Sequence, residues 1–296
     1  MELIKKRGIS KLAVFFFVAA LIVGITQLAS VPSAFADDPI LTVYVDGETA
    51  ASYTLAQLQD TQVFTQYTQI YSTINNWPTD KFYVAQGPSL ADVLDDAGMP
   101  EDPPQTLTVT ATDSTSKTFT VDELLNDTRY YYPNLTTGDT SGLIEVPTIL
   151  ALLSASGTNP ANMTSADRIR LMMGQRYITE QSNPWQVKNI YRIDISTTAP
   201  GQWDQVTASP EPGQVTPGTE VTLSHSDIDE VKIYYTLDGS DPDITSTMYN
   251  ISATYFQPEL NEPIEITGTG THTIKAIAIG PGQTASNVAT FQYIIP

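Results

Sequence analysis

The sequence predicts two domains of different class: an α+β domain over residues 37–196, then an all-β sandwich over residues 206–296. Three observations carry this. Strand-like and helix-like patterns alternate before residue 196, and no helical pattern follows residue 205. Pro210, Pro212, Gly213, Pro217 and Gly218 crowd the boundary, where they mark turns, so residues 197–205 read as a linker. Finally, about seven short strand signals share the last stretch of roughly 90 residues, the density of two packed antiparallel sheets.

The chain opens with the three parts of an export signal. Lys5, Lys6, Arg7 and Lys11 precede an apolar run over residues 12–25, and Ala34-Phe35-Ala36 supplies a small-x-small cleavage site. An apolar core of about 14 residues is shorter than the roughly 20 that a helix needs to span a bilayer. Cleavage between Ala36 and Asp37 is therefore expected, with a secreted or cell-surface product and no membrane insertion afterwards. Removing residues 1–36 takes away four basic residues and one acidic one, leaving 10 Lys and Arg against 32 Asp and Glu, a net of −22. Such a balance repels phosphate backbones, so nucleic acid is not an expected partner. The chain has no cysteine, which excludes disulfides, thiolate metal ligands, a cysteine nucleophile and a cysteine-linked lipid anchor.

In the first region, Leu41–Val45 reads as a strand ended by the Asp46-Gly47 turn. Ser89-Leu90-Ala91-Asp92 is a capping box whose helix carries Leu90, Val93 and Leu94 on one face and leaves at Gly98. Residues 107–111 and 118–121 read as strands. A second capping box, Thr120-Val121-Asp122-Glu123, leads into Leu124 and Leu125. Pro147 fits the first position of a helix over residues 148–154, with Gly157 as its stop. Residues 168–173 and 187–195 read as strands, which completes the α+β pattern with several short helices.

In the second region, Val231, Ile233, Tyr235 and Leu237 alternate with Lys232, Tyr234 and Thr236, so one set is expected to face inward and the other outward. Val221 with Leu223, and Ile274 with Ala276, repeat the pattern, and the strand count points to an immunoglobulin-like sandwich. The string Tyr234-Tyr235-Thr236-Leu237-Asp238-Gly239-Ser240-Asp241-Pro242, then Tyr249, Thr273-Ile274-Lys275-Ala276-Ile277-Ala278, Ser286 and Tyr293, resembles the C-terminal domain of chitobiases and β-hexosaminidases across almost all of residues 206–296. That resemblance implies an accessory β-sandwich without catalysis. Asp238, Asp241 and Asp243 have two readings, a calcium site or a solvated turn.

The first half carries Gly87-Pro88-Ser89-Leu90-Ala91-Asp92-Val93-Leu94 with Ala97-Gly98, then Thr108-Val109-Thr110-Ala111-Thr112-Asp113, Arg170-Leu171-Met172-Met173-Gly174, Val187-Lys188 and Ile193. These fragments resemble the molybdopterin-binding domain of the sulfite-oxidase family over residues 41–196. In that family a cysteine thiolate ahead of the Gly-x-x-Leu motif binds molybdenum. Here the corresponding stretch, Tyr71-Ser72-Thr73-Ile74-Asn75-Asn76-Trp77, has none, so molybdopterin is disfavoured and no cofactor is expected. Beside the resemblance stands a concentration of positive charge. Arg168, Arg170, Arg176 and Lys188, with Arg192, make up half the basic residues expected after cleavage. Arg168, Arg170, Arg176 and Lys188 read as an anion site for a carboxylate, sulfate or pterin phosphate, or as partners of nearby carboxylates.

Other constellations are weak. His225 and His272 lack zinc-site spacing, and there is no Gly-x-Ser-x-Gly elbow, P-loop or Gly-x-Gly-x-x-Gly fingerprint. The aromatics invite a carbohydrate reading: Trp77, Trp185 and Trp203 sit in loop-like contexts, and at least one of Tyr130, Tyr131 and Tyr132 is expected to be exposed. The expected function is that of a secreted or cell-surface, non-catalytic binding or structural protein, whose partner is an extracellular polymer or surface protein. A divergent molybdopterin oxidoreductase or its accessory subunit, and a polysaccharide-binding accessory protein, are the alternatives.

Overall fold

The computed structural model of the protein describes residues 38–100 and 105–296. The expected export signal and its Ala36–Asp37 cleavage point lie outside the described residues. Among the described residues, no helix is long and apolar enough to cross a membrane.

Five strands form the first sheet, in the order Glu48–Tyr53, Leu41–Val45, Ile190–Ser196, Thr106–Ala111 and Ser116–Thr120. Leu41–Val45 and Ile190–Ser196 run parallel, with Thr42 opposite Arg192 and Val45 opposite Ile195. The other pairings are antiparallel. Alternation along these strands buries Leu41, Val43, Leu107, Val109, Ile193 and Ile195 in one core with Leu90, Val93 and Leu94 of the helix Leu90–Asp96. At the first hairpin Asp46 and Gly47 both have positive φ, 48° and 86°, the pair of left-handed residues that a two-residue turn requires.

A second sheet places Asp80–Pro88 between Gln66–Ile74 and Leu153–Ser156. Ile149–Ala151 pairs with Arg170–Met172. The expected helix over residues 148–154 is therefore replaced by two short strands, Ile149–Ala151 and Leu153–Ser156. Ile149, Leu150, Ala151 and Leu152 are all buried, and so short an apolar run has no period to separate a core strand from a helix. The second capping box does form: Thr120 N–H donates to Glu123 Oε2 at 2.7 Å, and Glu123 N–H to Thr120 Oγ1 at 3.2 Å. It opens a single wide turn, Asp122–Asn126, closed by Asp127 N–H to the Asp122 carbonyl at 2.8 Å. The α+β expectation for residues 37–196 is not supported. The α-helices described there are the four-residue Leu55–Leu58 and the seven-residue Leu90–Asp96, and strands dominate the rest.

The second half is a β-sandwich. One sheet orders Thr207–Ser209, Thr219–Ser224 and Ile264–Ile266; the other orders Gly213–Gln214, Ala289–Ile295, Gly270–Ile279, Lys232–Thr236 and Thr247–Met248. Val221, Leu223, Ile233, Ile274, Ala276 and Phe291 lie in its core. The expected inward and outward sets on residues 231–237 need correction. Lys232, Ile233 and Tyr234, drawn from both sets, are buried, whereas Leu237 is 58% exposed. Leu237 lies beyond the end of its strand, and Lys232, Ile233 and Tyr234 are all buried, so Lys232–Thr236 is covered on both sides. Residues between the halves are tied down as well. Thr197 N–H donates to Asp46 at 2.9 Å, and Trp203 N–H to the Thr284 carbonyl at 3.0 Å.

Candidate binding surface

The four basic residues singled out from the sequence fall into separate settings. Arg170 is buried, with its guanidinium 4.0 Å from the Tyr83 ring centre and an Nη2–H bond to Gln186 Oε1 at 3.2 Å. It shares Asp167 with Lys188, at 3.6 Å and 3.0 Å. Burial would raise the Tyr83 hydroxyl, but the adjoining Arg170 guanidinium, the hydrogen bond from Asn183 and the charge of Lys188 outweigh it and hold the pKa down. Arg168, expected on a strand over residues 168–173, precedes the strand Arg170–Met172, and its Nε–H donates to the Leu152 carbonyl at 3.2 Å. Arg176 belongs to another group altogether.

That group joins the halves. Arg176 pairs with Glu180 at 2.7 Å and with Asp127 at 3.2 Å, while the buried Arg129 reaches the same Glu180 at 3.2 Å. Burial works against the Glu180 charge, yet Arg176 and Arg129 outweigh it and hold the carboxyl below its usual range. Glu123 has the opposite balance. Burial pushes it up, only partly offset by N–H groups of Gly282 and Thr120 and by both arginines. Gly282 N–H reaches Glu123 Oε2 from the sandwich at 2.9 Å. Beside this clasp lies a cleft of about 760 Å³, where Arg176 faces Asp122, Glu123, Asp127 and Asp243 over a floor that includes Ile277 and Ile279. Arg129 was not singled out because an isolated arginine in Thr128-Arg129-Tyr130 carries no pattern.

The stretch that corresponds to the metal-ligand segment of the resemblance contains Ser72, whose hydroxyl is already engaged. Ser72 is fully buried, donates to Gln175 Oε1 at 2.6 Å and accepts from Tyr132 N–H at 2.9 Å, so its hydroxyl is spent inside the core. The acidic loop of the sandwich is also internally paired. Asp238 accepts from Ser240 N–H at 3.0 Å, Asp243 from Thr245 N–H at 2.8 Å, and Asp241 from Lys275 Nζ at 2.7 Å.

A seam of exposed aromatic rings crosses from one half to the other. Trp77, in the turn between Gln66–Ile74 and Asp80–Pro88, is 41% exposed; Phe256 is 41% and Tyr255 65% exposed. Trp77 and Phe256 meet edge to face at 4.6 Å, and Tyr255 lies tilted against Phe256 at 4.3 Å. Ala253 N–H donates to the Asn76 carbonyl at 3.0 Å, which ties the two loops together, and Gln181 Nε2–H donates to the Ile251 carbonyl at 2.5 Å from a third segment. A pocket of about 270 Å³ opens beside Tyr255, lined also by Asn76, Lys117, Gln181, Asp229 and Lys232. Burial depresses the Lys232 ammonium to about 8, with Asp229 opposing the shift, and its Nζ donates to the Asn250 carbonyl at 3.2 Å. Of the seam, Trp77 was flagged by the sequence; Tyr255-Phe256, adjacent rings in a polar loop, carried a signal that went unread. The expectation of an exposed ring among Tyr130, Tyr131 and Tyr132 is corrected. Tyr132 is buried against Tyr130 and Tyr131 is half-buried against Phe82, because the segment lies between packed strands.

A family model described as Fn3 associated matches residues 221–293, within the sandwich. Among solved structures, one described under "Structures of Clostridium thermocellum CbhA fibronectin(III)-like modules" aligns over 77% of this chain and 94% of that chain, at 11% identity and a TM-score of 0.22. A search of curated proteins finds no match. The β-sandwich of the second half thus has support from its sheets and from the family match. Neither comparison carries the molybdopterin-domain resemblance of residues 41–196 or the chitobiase-specific resemblance of residues 206–296.

Proposed function

We propose that the protein is a secreted or cell-surface, non-catalytic binding protein that contacts an extracellular polymer through the Trp77–Phe256–Tyr255 seam. The observation that carries the reading is the exposure of three touching rings contributed by both halves. Large aromatic rings ordinarily pack inward, and a contiguous exposed group of them marks an interaction surface. The fibronectin-associated match over residues 221–293 supports a binding or structural role. The clasp around Glu123, Arg129, Arg176 and Glu180 gives the halves a fixed relation, so rings from separate loops present one preformed surface. The test is co-sedimentation of the full chain with insoluble extracellular polysaccharides. Wild-type protein should sediment with at least one of them, and the double variant Trp77→Ala, Tyr255→Ala should stay in solution. Equal sedimentation of both proteins would remove the seam from the function.

A further inference from the structure

We infer that the pocket beside Tyr255 is a subsite for one neutral sugar ring of the polymer, an assignment that rests on the polymer-binding reading above and narrows it. Tyr255 lies on both features: its ring belongs to the exposed seam and also lines the 270 Å³ pocket. The volume is near the lower limit of small-molecule pockets, roughly 300 Å³. A sugar ring offers an apolar C–H face to an aromatic ring and hydroxyls at its edge, and this corner provides for both.

The polar wall discriminates between ligand charges. Gln181 is 3% exposed, lines the pocket, and its Oε1 has no hydrogen-bond partner among the described residues. Its orientation is fixed, because Nε2 must face the Ile251 carbonyl that it serves. An acceptor at this wall favours a donor, which a hydroxyl supplies and a carboxylate, sulfate or phosphate oxygen does not. The neighbouring charges are balanced. Lys117 is paired with Glu230 at 2.5 Å, and Lys232 and Asp229 add one charge of each sign to the lining. Hydroxyls, being donors and acceptors at once, match such a mixed wall, whereas a polyanion meets a chain of net charge −19.

Affinity electrophoresis of the full chain in gels holding soluble polysaccharides tests the inference. The neutral probes are hydroxyethyl cellulose, xylan and mannan; the anionic ones are alginate and heparin. Retardation by at least one neutral polymer is expected. Tyr255→Ala should weaken it roughly tenfold, the factor that about 1.4 kcal/mol represents, while Tyr255→Phe keeps the ring and most of the affinity. Gln181→Met, close in volume, should weaken it further in a protein whose thermal transition stays cooperative. Since Tyr255 is exposed, its substitution leaves the core intact and keeps the test valid should Gln181→Met misfold. Retardation by alginate or heparin alone, still dependent on Tyr255, would overturn the neutral-sugar subsite and leave the polymer-binding reading standing. No retardation by any polymer, or retardation indifferent to Trp77 and Tyr255, would overturn both.

Discussion

Glu123 serves two parts of the molecule with one oxygen. Its Oε2 closes the local capping box at Thr120 and also accepts Gly282 N–H from the sandwich. Hydrogen bonds to a charged acceptor contribute about 1.5–3 kcal/mol, and deleting this one strands the buried Gly282 N–H and the half-buried Thr120 N–H. Glu123→Ala should therefore lower unfolding stability by ~2–3 kcal/mol in a urea titration; a loss near zero would remove the clasp from the energetics. The pH dependences of the two clasp acids have opposite signs. Glu180, depressed when folded, contributes stability that is present above its ordinary value of 4.5 and is lost as pH falls through its lower folded value. Glu180→Gln should thus flatten the acid limb of a stability–pH profile. Glu123, raised when folded, favours folding most below 4.5 and loses that contribution as pH rises through its folded value. Lys232 offers a third check. Its folded value near 8 lies below the ordinary 10.5, so the charged lysine penalises folding below pH 8 and the penalty is relieved towards 10.5. Lys232→Met should stabilise by ~1–3 kcal/mol at pH 7, and less at pH 10. The capping box at Thr120 was legible in the sequence because it is a local spacing. The reach from Glu123 to Gly282 was not, since nothing at residue 123 specifies a partner 159 positions away.

At the scale of the element, alternation was readable wherever one face of a strand is apolar. Leu41–Val45 and Ile190–Ser196 follow that rule, with Val43 and Ile193 side by side in the core. The hairpin of Gln66–Ile74 with Asp80–Pro88 escaped because its buried positions include Ser72 and Thr73, whose hydrogen bonds to Gln175 and Ser182 replace apolar burial. The sequence could not announce that polar side chains here have buried partners. Gly87 shows the reverse, a residue with a clear pattern but another cause. It opens the Gly87-Pro88-Ser89-Leu90 fragment that suggested a cofactor motif, yet a Cβ on it would lie 2.1 Å from the Leu150 carbonyl oxygen. The glycine is explained by close strand packing. Gly87→Ala must push two backbones apart, and a loss of ~1–3 kcal/mol is expected, read as a lower midpoint in thermal unfolding. An unchanged midpoint would mean that the contact between Asp80–Pro88 and Ile149–Ala151 is looser than described.

For the whole molecule, the two cores are distinct but the surfaces between them are shared. Lys232–Thr236 has one side in the sandwich core, through Ile233, and the other buried as well, through Lys232 and Tyr234. The alternation along this strand implies one inward and one outward set; that both are buried was not legible, because a covering partner within the same chain leaves no local trace. Residues 206–296 alone should still unfold cooperatively, with a lower midpoint than in the full chain, since the bonds from Glu123, Asn76 and Gln181 are then missing. Absence of any cooperative transition would show that the sandwich depends on the first half to fold. The aromatic seam exists only where the halves meet, so its use as a binding surface is the claim on which the functional account turns. Hydrogen exchange of the full chain with and without a bound polysaccharide tests it most directly. Protection should appear together in the loop around Asn76-Trp77 and in residues 251–257, with little change at Asp122–Asn126 beside the cleft. Protection confined to one half, or centred on the cleft instead of the seam, would contradict the account.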